Sequence, residues 1–354
     1  MASPIQLAPE TSALPLDGPQ SLRDSHGRLI SDLRVSITDR CNYKCVYCRT
    51  GQVGAQFAEL QTEDYLRLIR NFVALGIEKV RLTGGEPLLR KDLPEMVREL
   101  ASWRTPAGEK LDIAITTNGH LLSDLAQLLK DAGLSRITVS MDAVDQPTFE
   151  KVTRVPGSFP AVVQGIRAAK EAGFNRLKVN CVLLRGFNDD QVEGFAAFAR
   201  RENVIVRFIE FMPLEEDRLW SPEMVVPLRE IVERIGKVFP IQALPANAAS
   251  ETARRYGFLD DPDGLSLGEI GIIAPVTQAF CGACSRIRLT SDGKIRTCLF
   301  SNLEHDIYSK MKNGASDTNL RDFIARTVQQ KEARHHIGEP GFLKPSRSMV
   351  HIGG

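Results

Sequence analysis

The chain has 354 residues, 43% of them hydrophobic and 25% charged, and 45 Lys+Arg against 44 Asp+Glu leave a formal charge of +1. That balance excludes the broad basic surface of a nucleic-acid binder, so any anion recognition must be local. No apolar run approaches the roughly 20 residues of a membrane span, and the length suits about two domains with a sizeable core.

Residues 1–22 are rich in Pro, Ser, Ala and Gln. They lack the apolar centre of a signal peptide and the Arg-rich composition of a transit peptide, and read as a disordered lead. From there to residue 212, β-rich runs at 33–37, 79–82, 112–116, 136–141, 176–184 and 204–211 alternate with amphipathic stretches such as 62–75, 92–101, 123–132 and 158–172. Thr62, Asp92, Ser123 and Ser158 are N-cap candidates, and Gly76, Gly133 and Gly173 close three helices. Strand-helix alternation at this spacing predicts a parallel sheet with right-handed crossovers, an α/β barrel or an open version of one. Six units fall short of the eight of a closed barrel. After residue 213 the alternation stops. A helical run at 226–238, a Pro/Ala-rich stretch and β-like segments at 269–273, 286–289 and 294–297 read as a smaller C-terminal domain. The expected units are 1–22, 23–240 and 241–354.

In a barrel-like sheet the active site lies at the C-terminal strand ends, and unusual residues collect there. Thr83-Gly84-Gly85-Glu86-Pro87 ends the second strand, Thr116-Thr117-Asn118-Gly119 the third, Ser140-Met141-Asp142 the fourth and Glu210-Phe211-Met212 the sixth; Lys178 falls in the fifth. Glycines without side chains let backbone approach a ligand closely. Arg81 and Lys178 stand in otherwise apolar strands, where an unpaired charge is costly, so they should face a polar cavity.

Cys41-Asn42-Tyr43-Lys44-Cys45-Val46-Tyr47-Cys48 is the sharpest signal. With seven cysteines in the chain, two more at these offsets from a given Cys arise by chance about 4 times in 10,000. Three soft thiolates in a compact loop suit three irons of a cubane better than a closed tetrahedral zinc site, and leave a fourth iron open. Cys281-Gly282-Ala283-Cys284 with Cys298 forms a second group. A zinc ribbon completed by His305 and a second cubane are its two readings, the second favoured by the motif already present. Arg286 and Arg288 alternate on one strand face beside it, and paired guanidiniums suit polyphosphate; Asp292-Gly293 reads as the hairpin turn that returns Cys298. Cys181 sits in an apolar strand as a small hydrophobe. Metal-like grouping of the other six, with no signal peptide, fits a reducing cytoplasm rather than a disulfide framework.

The Cys41/Cys45/Cys48 spacing with Tyr47 before the last cysteine resembles the radical S-adenosylmethionine (SAM) superfamily. Together with residues 32–42, 83–88, 116–119 and 280–288 and the terminal Gly353-Gly354, it is similar to the GTP 3',8-cyclase (MoaA) family within it, over about residues 23–354. The resemblance implies a fold that is α/β, an incomplete (β/α)6 TIM-like barrel with a smaller C-terminal α+β domain carrying a second Fe-S cluster. It implies two 4Fe-4S clusters and SAM as cofactors. Cys41, Cys45 and Cys48 would hold the SAM cluster, with Tyr47, Gly85, Ser140 and Met212 around SAM. Cys281, Cys284 and Cys298 would hold the second. Arg34, Arg81, Thr116, Lys178, Arg286 and Arg288 would bind GTP, with Lys79 as an extra phosphate contact, and Gly353 and Gly354 would project into the catalytic pocket. The implied reaction is conversion of GTP to 3',8-cyclo-7,8-dihydro-GTP in molybdenum cofactor biosynthesis, through a 5'-deoxyadenosyl radical that takes the C3' hydrogen. An external flavodoxin- or ferredoxin-like reductant is expected, with no nucleic-acid or membrane partner; a homodimer is compatible with the sequence. The competing readings are a radical SAM peptide-modifying enzyme with an auxiliary cluster, a non-catalytic Fe-S electron carrier and a zinc-stabilised scaffold.

Overall fold

The computed structural model describes residues 6–7, 21–48, 55–215, 219–261 and 267–352. Thirteen strands form one continuous sheet among them: β1 (Gln6–Leu7), β2 (Asp32–Ser36), β3 (Lys79–Thr83), β4 (Asp112–Thr117), β5 (Arg136–Ser140), β6 (Lys178–Leu183), β7 (Ile205–Glu210), β8 (Ile241–Leu244), β9 (Ala253–Phe258), β10 (Glu269–Ile273), β11 (Arg286–Leu289), β12 (Lys294–Arg296) and β13 (Leu303–Asp306). Their order is β1-β13-β12-β11-β2-β3-β4-β5-β6-β7-β10-β9-β8. Strands β2 to β7 are the six expected parallel neighbours, joined through helices including Thr62–Ala74, Leu93–Ser102, Leu122–Asp131, Ser158–Glu171 and Val192–Glu202.

The C-terminal strands do not build a sheet of their own but lengthen the barrel's sheet at both edges. β10 pairs parallel with β7 and carries antiparallel β9 and β8; β11 pairs parallel with β2 and carries antiparallel β12 and β13. Chain that would otherwise leave two raw edges is thereby paired. Strands β8, β9 and β13 escape the sequence reading because β8 and β13 have only four residues each and β9 carries Arg254 and Arg255, and β8 is the last strand of the sheet. Of the lead, Gln6–Leu7 pairs with β13 and Leu22 is buried; most of residues 1–22 lies outside the described residues.

Strand alternation sorts the two faces. Leu33, Val35, Val80, Leu82, Ile113, Ile115, Ile137, Val139, Val179, Cys181, Val206 and Phe208 are buried in one apolar core with Tyr65, Leu68, Phe72 and Val97 from the surrounding helices. The opposite face carries the charged and polar residues described below. Local helix starts differ from expectation. Thr62 and Ser158 are first helical residues and Ser123 is second, behind N-caps Gln61, Gly157 and Leu121. Asp92 does occupy an N-cap, but its carboxylate is drawn to Arg90 and Thr62 instead of the helix amides. Gly76, Gly133 and Gly173 follow the helix ends with positive φ, as a left-handed C-terminal turn requires.

At Gly268 (φ +76°), where β10 joins the barrel, an added Cβ would lie 2.4 Å from the Val204 carbonyl oxygen and 2.6 Å from that of Ala199. Gly268→Ala should therefore weaken this join and lower stability by about 2 kcal/mol or more. Urea unfolding followed by circular dichroism measures it, and a wild-type midpoint would mean the backbone there relaxes freely.

Candidate functional site

After β2 the chain turns through Thr38 and Arg40 into the first cysteine loop, against which the Gly84-Gly85 turn is pressed. The Gly85 N–H donates to the Thr38 carbonyl (2.8 Å) and that of Glu86 to Arg40 (2.7 Å). A Cβ on Gly84 would lie 2.1 Å from the Thr38 oxygen and one on Gly85 2.2 Å from the Arg40 oxygen. The missing side chains thus serve first the loop that carries the cysteines. Buried Glu86 fastens this turn to the end of β4, accepting from the Leu88 N–H (2.9 Å), the Thr117 hydroxyl (2.7 Å) and the Asn118 N–H (2.6 Å). Burial pushes its carboxyl up to about 7 against these donors.

Cys41, Cys45 and Cys48 are half-buried, and like the other four cysteines they are in no disulfide. Their loop is docked on helix Gln146–Thr153 by the Lys44 N–H to the Thr153 carbonyl (3.2 Å) and the Val46 N–H to that of Val152 (3.0 Å). The Tyr47 hydroxyl donates to Asp142 Oδ2 (2.7 Å), whose other oxygen accepts from the Val182 N–H (2.9 Å). Burial raises the Asp142 carboxyl to about 6, opposed by both donors. Burial, then Asp142, Cys48 and Cys41, push the Cys45 thiol up, and the positive charge of a metal centre favours the thiolate there. Among the described residues no three His, Cys, Asp or Glu side chains converge to hold a single ion. Soft donors spread round a loop fit a polynuclear iron-sulfur centre, one iron to each thiolate.

On the inner face the register brings the predicted cations together. Arg34 stands directly between Arg288 and Arg81 across β11, β2 and β3. Lys178 is opposite Thr138, and Asn180 lies between Ser140 and Arg207. Asp32 and Asp112 sit one level lower with Arg286 and Lys79. Arg81 donates to the Thr116 and Thr138 hydroxyls (3.2 Å each) and Arg207 Nε to Asn180 Oδ1 (2.9 Å), while the buried Nε of Arg34 has no partner among the described residues. Burial, with repulsion from neighbouring guanidiniums, lowers Arg34 and Arg81, and brings Arg288 down to about 10, Arg207 to about 9 and Lys178 to about 8. A cluster of half-buried like charges is expensive in water-poor surroundings unless an anion completes it.

The second trio flanks the β11–β12 hairpin: Cys281 and Cys284 precede β11 and Cys298 follows β12. The turn forms at Asp292-Gly293 as expected, with Gly293 at φ +77°. Arg28 ties the surrounding chain by donating to the carbonyls of Cys281 (2.8 Å), Ala333 (2.8 Å) and Glu332 (2.6 Å), and the buried Lys331 ammonium donates to that of Thr297. Burial would raise the Cys284 thiol, but Lys331 and Arg286 bring it below its ordinary value; Cys298 is raised by burial and Glu332. His305 belongs to no such metal-holding group; it sits within β13 opposite Ile295. Because β2 and β11 run parallel and adjacent, the first trio lies beyond the C-terminal end of this pair and the second at its N-terminal end. Strands of this length put the two groups on the order of 15 Å apart, with the arginine row between them.

Tyr47, Gly85, Ser140 and Met212 all lie at the strand-end rim. Met212, Leu214 and Cys298 pack in one apolar cluster with Ile352. The Ile352 carbonyl accepts from Arg288 (3.2 Å) and the Val350 carbonyl from Ser36 (3.4 Å). Gly353 and Gly354 lie outside the described residues. Arg207 is an inner-face residue that sequence reasoning passed over, although it is a charge within the apolar β7 strand, as Arg81 and Lys178 are in theirs. Among the described residues no helix is long and apolar enough to cross a membrane.

Residues 35–199 match the Radical SAM superfamily model and 204–337 the Molybdenum Cofactor Synthesis C model. The chain is 42% identical over 327 residues to the GTP 3',8-cyclase of Acidothermus cellulolyticus, covering 89% of this chain and 88% of that one. To the GTP 3',8-cyclase of Moorella thermoacetica it is 41% identical over 336 residues, 94% and 100% of the two chains. Among solved structures, Streptococcus suis SuiB bound to precursor peptide SuiA aligns with a TM-score of 0.60 at 13% identity, over 87% of this chain and 67% of that one. Native anSMEcpe with bound AdoMet aligns with a TM-score of 0.55 at 15% identity, over 86% and 81%. At such identities these two establish the partial-barrel fold alone.

The cationic row generates a test independent of any reaction. A bound polyanion should return the Lys178 ammonium, held near 8, towards its ordinary value, so the complex binds more protons than the free protein at about pH 8.5. The sign follows because the anion favours the charged form. Calorimetry with inorganic tripolyphosphate in buffers of different ionisation enthalpy should show proton uptake, reduced in Lys178→Met; equal heats across buffers would count against the cavity as an anion site.

Proposed function

This chain belongs to the GTP 3',8-cyclase family of radical SAM enzymes, which acts in molybdenum cofactor biosynthesis, and from that premise we propose that it converts GTP to 3',8-cyclo-7,8-dihydro-GTP in the cavity between its two cysteine groups. The observation that carries the reading is the strand register that places Arg288, Arg34 and Arg81 side by side between those groups. Three guanidiniums with Lys178 and Arg207 match a triphosphate in charge and reach. A peptide substrate has no comparable need of them, and a simple electron carrier needs no such cavity.

Cys41, Cys45 and Cys48 would hold a 4Fe-4S cluster with SAM at its open iron, near Tyr47, Gly85, Ser140 and Met212. Charged by an external reductant, that pair supplies the one-electron cleavage of SAM that allows hydrogen abstraction from C3' of GTP. Cys281, Cys284 and Cys298 would hold a second 4Fe-4S cluster facing the guanine.

The chain's own work is placement. Arg34, Arg81, Lys178, Arg207, Arg286 and Arg288 fix the triphosphate, with Lys79 a further contact at the lower level, while Thr116, bonded to Arg81, stands towards the ribose. Holding both ends of GTP leaves C3' as the position presented to the SAM side and brings C8 within reach of it, so that ring closure competes with loss of the radical. Ile352, Leu214 and Phe300 form an apolar wall that keeps water from that space, and Gly353 and Gly354 would enter the pocket behind it.

The test uses anaerobically reconstituted, reduced protein with SAM and GTP deuterated at C3'. Deuterium should appear in 5'-deoxyadenosine with one cyclised product per label transferred. Unlabelled 5'-deoxyadenosine accumulating beside intact GTP would sink the assignment.

A further inference from the structure

The helix Met349–Ile352 that closes the described chain is a single turn, too short to persist by its own hydrogen bonds, yet Ile352 is fully buried. Something outside the helix must hold it. Two residues earlier, the Arg347 side chain is 1% exposed and grips two carboxylates at once. Its Nη1 donates to Asp292 Oδ1 (2.8 Å) and its Nη2 to Asp292 Oδ2 (2.9 Å) and Glu304 Oε2 (2.7 Å). The guanidinium lies 4.1 Å from the Phe57 ring centroid, and the same ring meets His351 edge-on at 5.1 Å.

Each partner belongs to a different part of the site. Phe57 lies on the segment returning from the first cysteine loop, its N–H donating to Asp39 Oδ2 (2.9 Å). Asp292 is the turn of the hairpin that carries the second trio, and Glu304 lies in β13, which pairs with that hairpin. We propose that Arg347 is a positioning residue: it seats the terminal helix between the two cysteine groups and so sets where Ile352 stands against Arg288 and the Met212–Cys298 cluster. The catalytic consequence rests on the cyclase reading above; the seating itself does not. A fork that serves Asp292 bidentately while stacking on a ring demands arginine, because lysine offers a point charge without the planar fork.

The carboxylates do not depend on Arg347 alone. Glu304 is also bonded to Arg296 (2.9 Å) and lies 3.7 Å from Lys294, which is 3.6 Å from Asp292. Removing Arg347 therefore leaves the hairpin's charges compensated and frees mainly the terminal segment.

Arg347→Met, Arg347→Lys and Asp292→Asn, prepared as full-length reconstituted protein, test this by hydrogen exchange with mass spectrometry. In Arg347→Met and Asp292→Asn, amides of residues 349–352 should exchange about tenfold faster or more, with the β11–β12 amides and iron content as in wild type. Turnover should fall about tenfold while KM for GTP moves by less than about threefold, and Arg347→Lys should recover part of the loss. Wild-type protection of 349–352 in a folded Arg347→Met protein would overturn the proposal; if that variant does not fold, Asp292→Asn decides on the same readout. Should wild-type protein itself make no cyclised product, the function reading fails while the exchange result still decides the latch.

Discussion

The hydrogen bonds that hold β11, β2 and β3 in parallel register also hold Arg288, Arg34 and Arg81 abreast. Those two facts cannot be separated, because side chains alternate with period two, and a one-residue slip would send the arginines into the apolar layer and Leu33, Val35 and Val80 into the cavity. The sheet is therefore specified by its outer face: the hydrophobic packing against helices such as Thr62–Ala74 stabilises one register and thereby fixes the cost borne on the other. Burial, with repulsion from neighbouring guanidiniums, lowers every one of these arginines. A chain of near-zero net charge has carboxylates to neutralise such a row, yet Asp32 and Asp112 stand a level below it, and the Arg136 pair with Asp112 (2.9 Å) uses one of them. Asp32 and Asp112 offset the row only in part, and a ligand's negative charge on the inner face would contribute most there.

The same register governs the two cysteine groups. One follows β2 and the other brackets the β11–β12 hairpin, so their separation is set by the length of two adjacent strands and not by a flexible linker between domains. Extending the barrel's sheet with C-terminal strands makes the second group part of the same rigid body in topology. Had the C-terminal residues formed a separate sheet, the distance between the groups would depend on an interdomain contact, and such contacts allow motion.

Much of this was legible in the sequence because the signals were local. The Cys41/Cys45/Cys48 run, the Asp292-Gly293 turn and the period of alternating strands and helices each occupy a short window, and charges such as Arg81 and Lys178 stand out within apolar strands. What escaped was set by partners distant in sequence. Ser123 and Ser158 look like caps, but Leu121 and Gly157 hold those positions. Gly84 and Gly85 stand out as positions of close backbone approach, but that the Thr38 and Arg40 carbonyls, more than forty residues earlier, leave no room for a Cβ there was visible only in the fold. Arg207 needed its position opposite Asn180, and β8 and β9 needed a sheet edge to pair with, to be recognisable at all.

The chain end shows the same dependence on long-range contacts from the other direction. Nothing in residues 345–352 taken alone predicts order, since a four-residue helix has almost no cooperative stability. Order comes from Lys344 on Glu215 (2.8 Å), Arg347 on Asp292 and Glu304, Ser36 on Val350 and Arg288 on Ile352. These anchors lie on the segment after β7, the hairpin turn, β13, β2 and β11, which between them flank both cysteine groups. A terminal segment tied to so many walls of one cavity can be correctly seated only when those walls are correctly assembled. Its closure therefore couples the apolar side of the site to the integrity of both cysteine groups, and Arg288 joins that closure directly to the charged row.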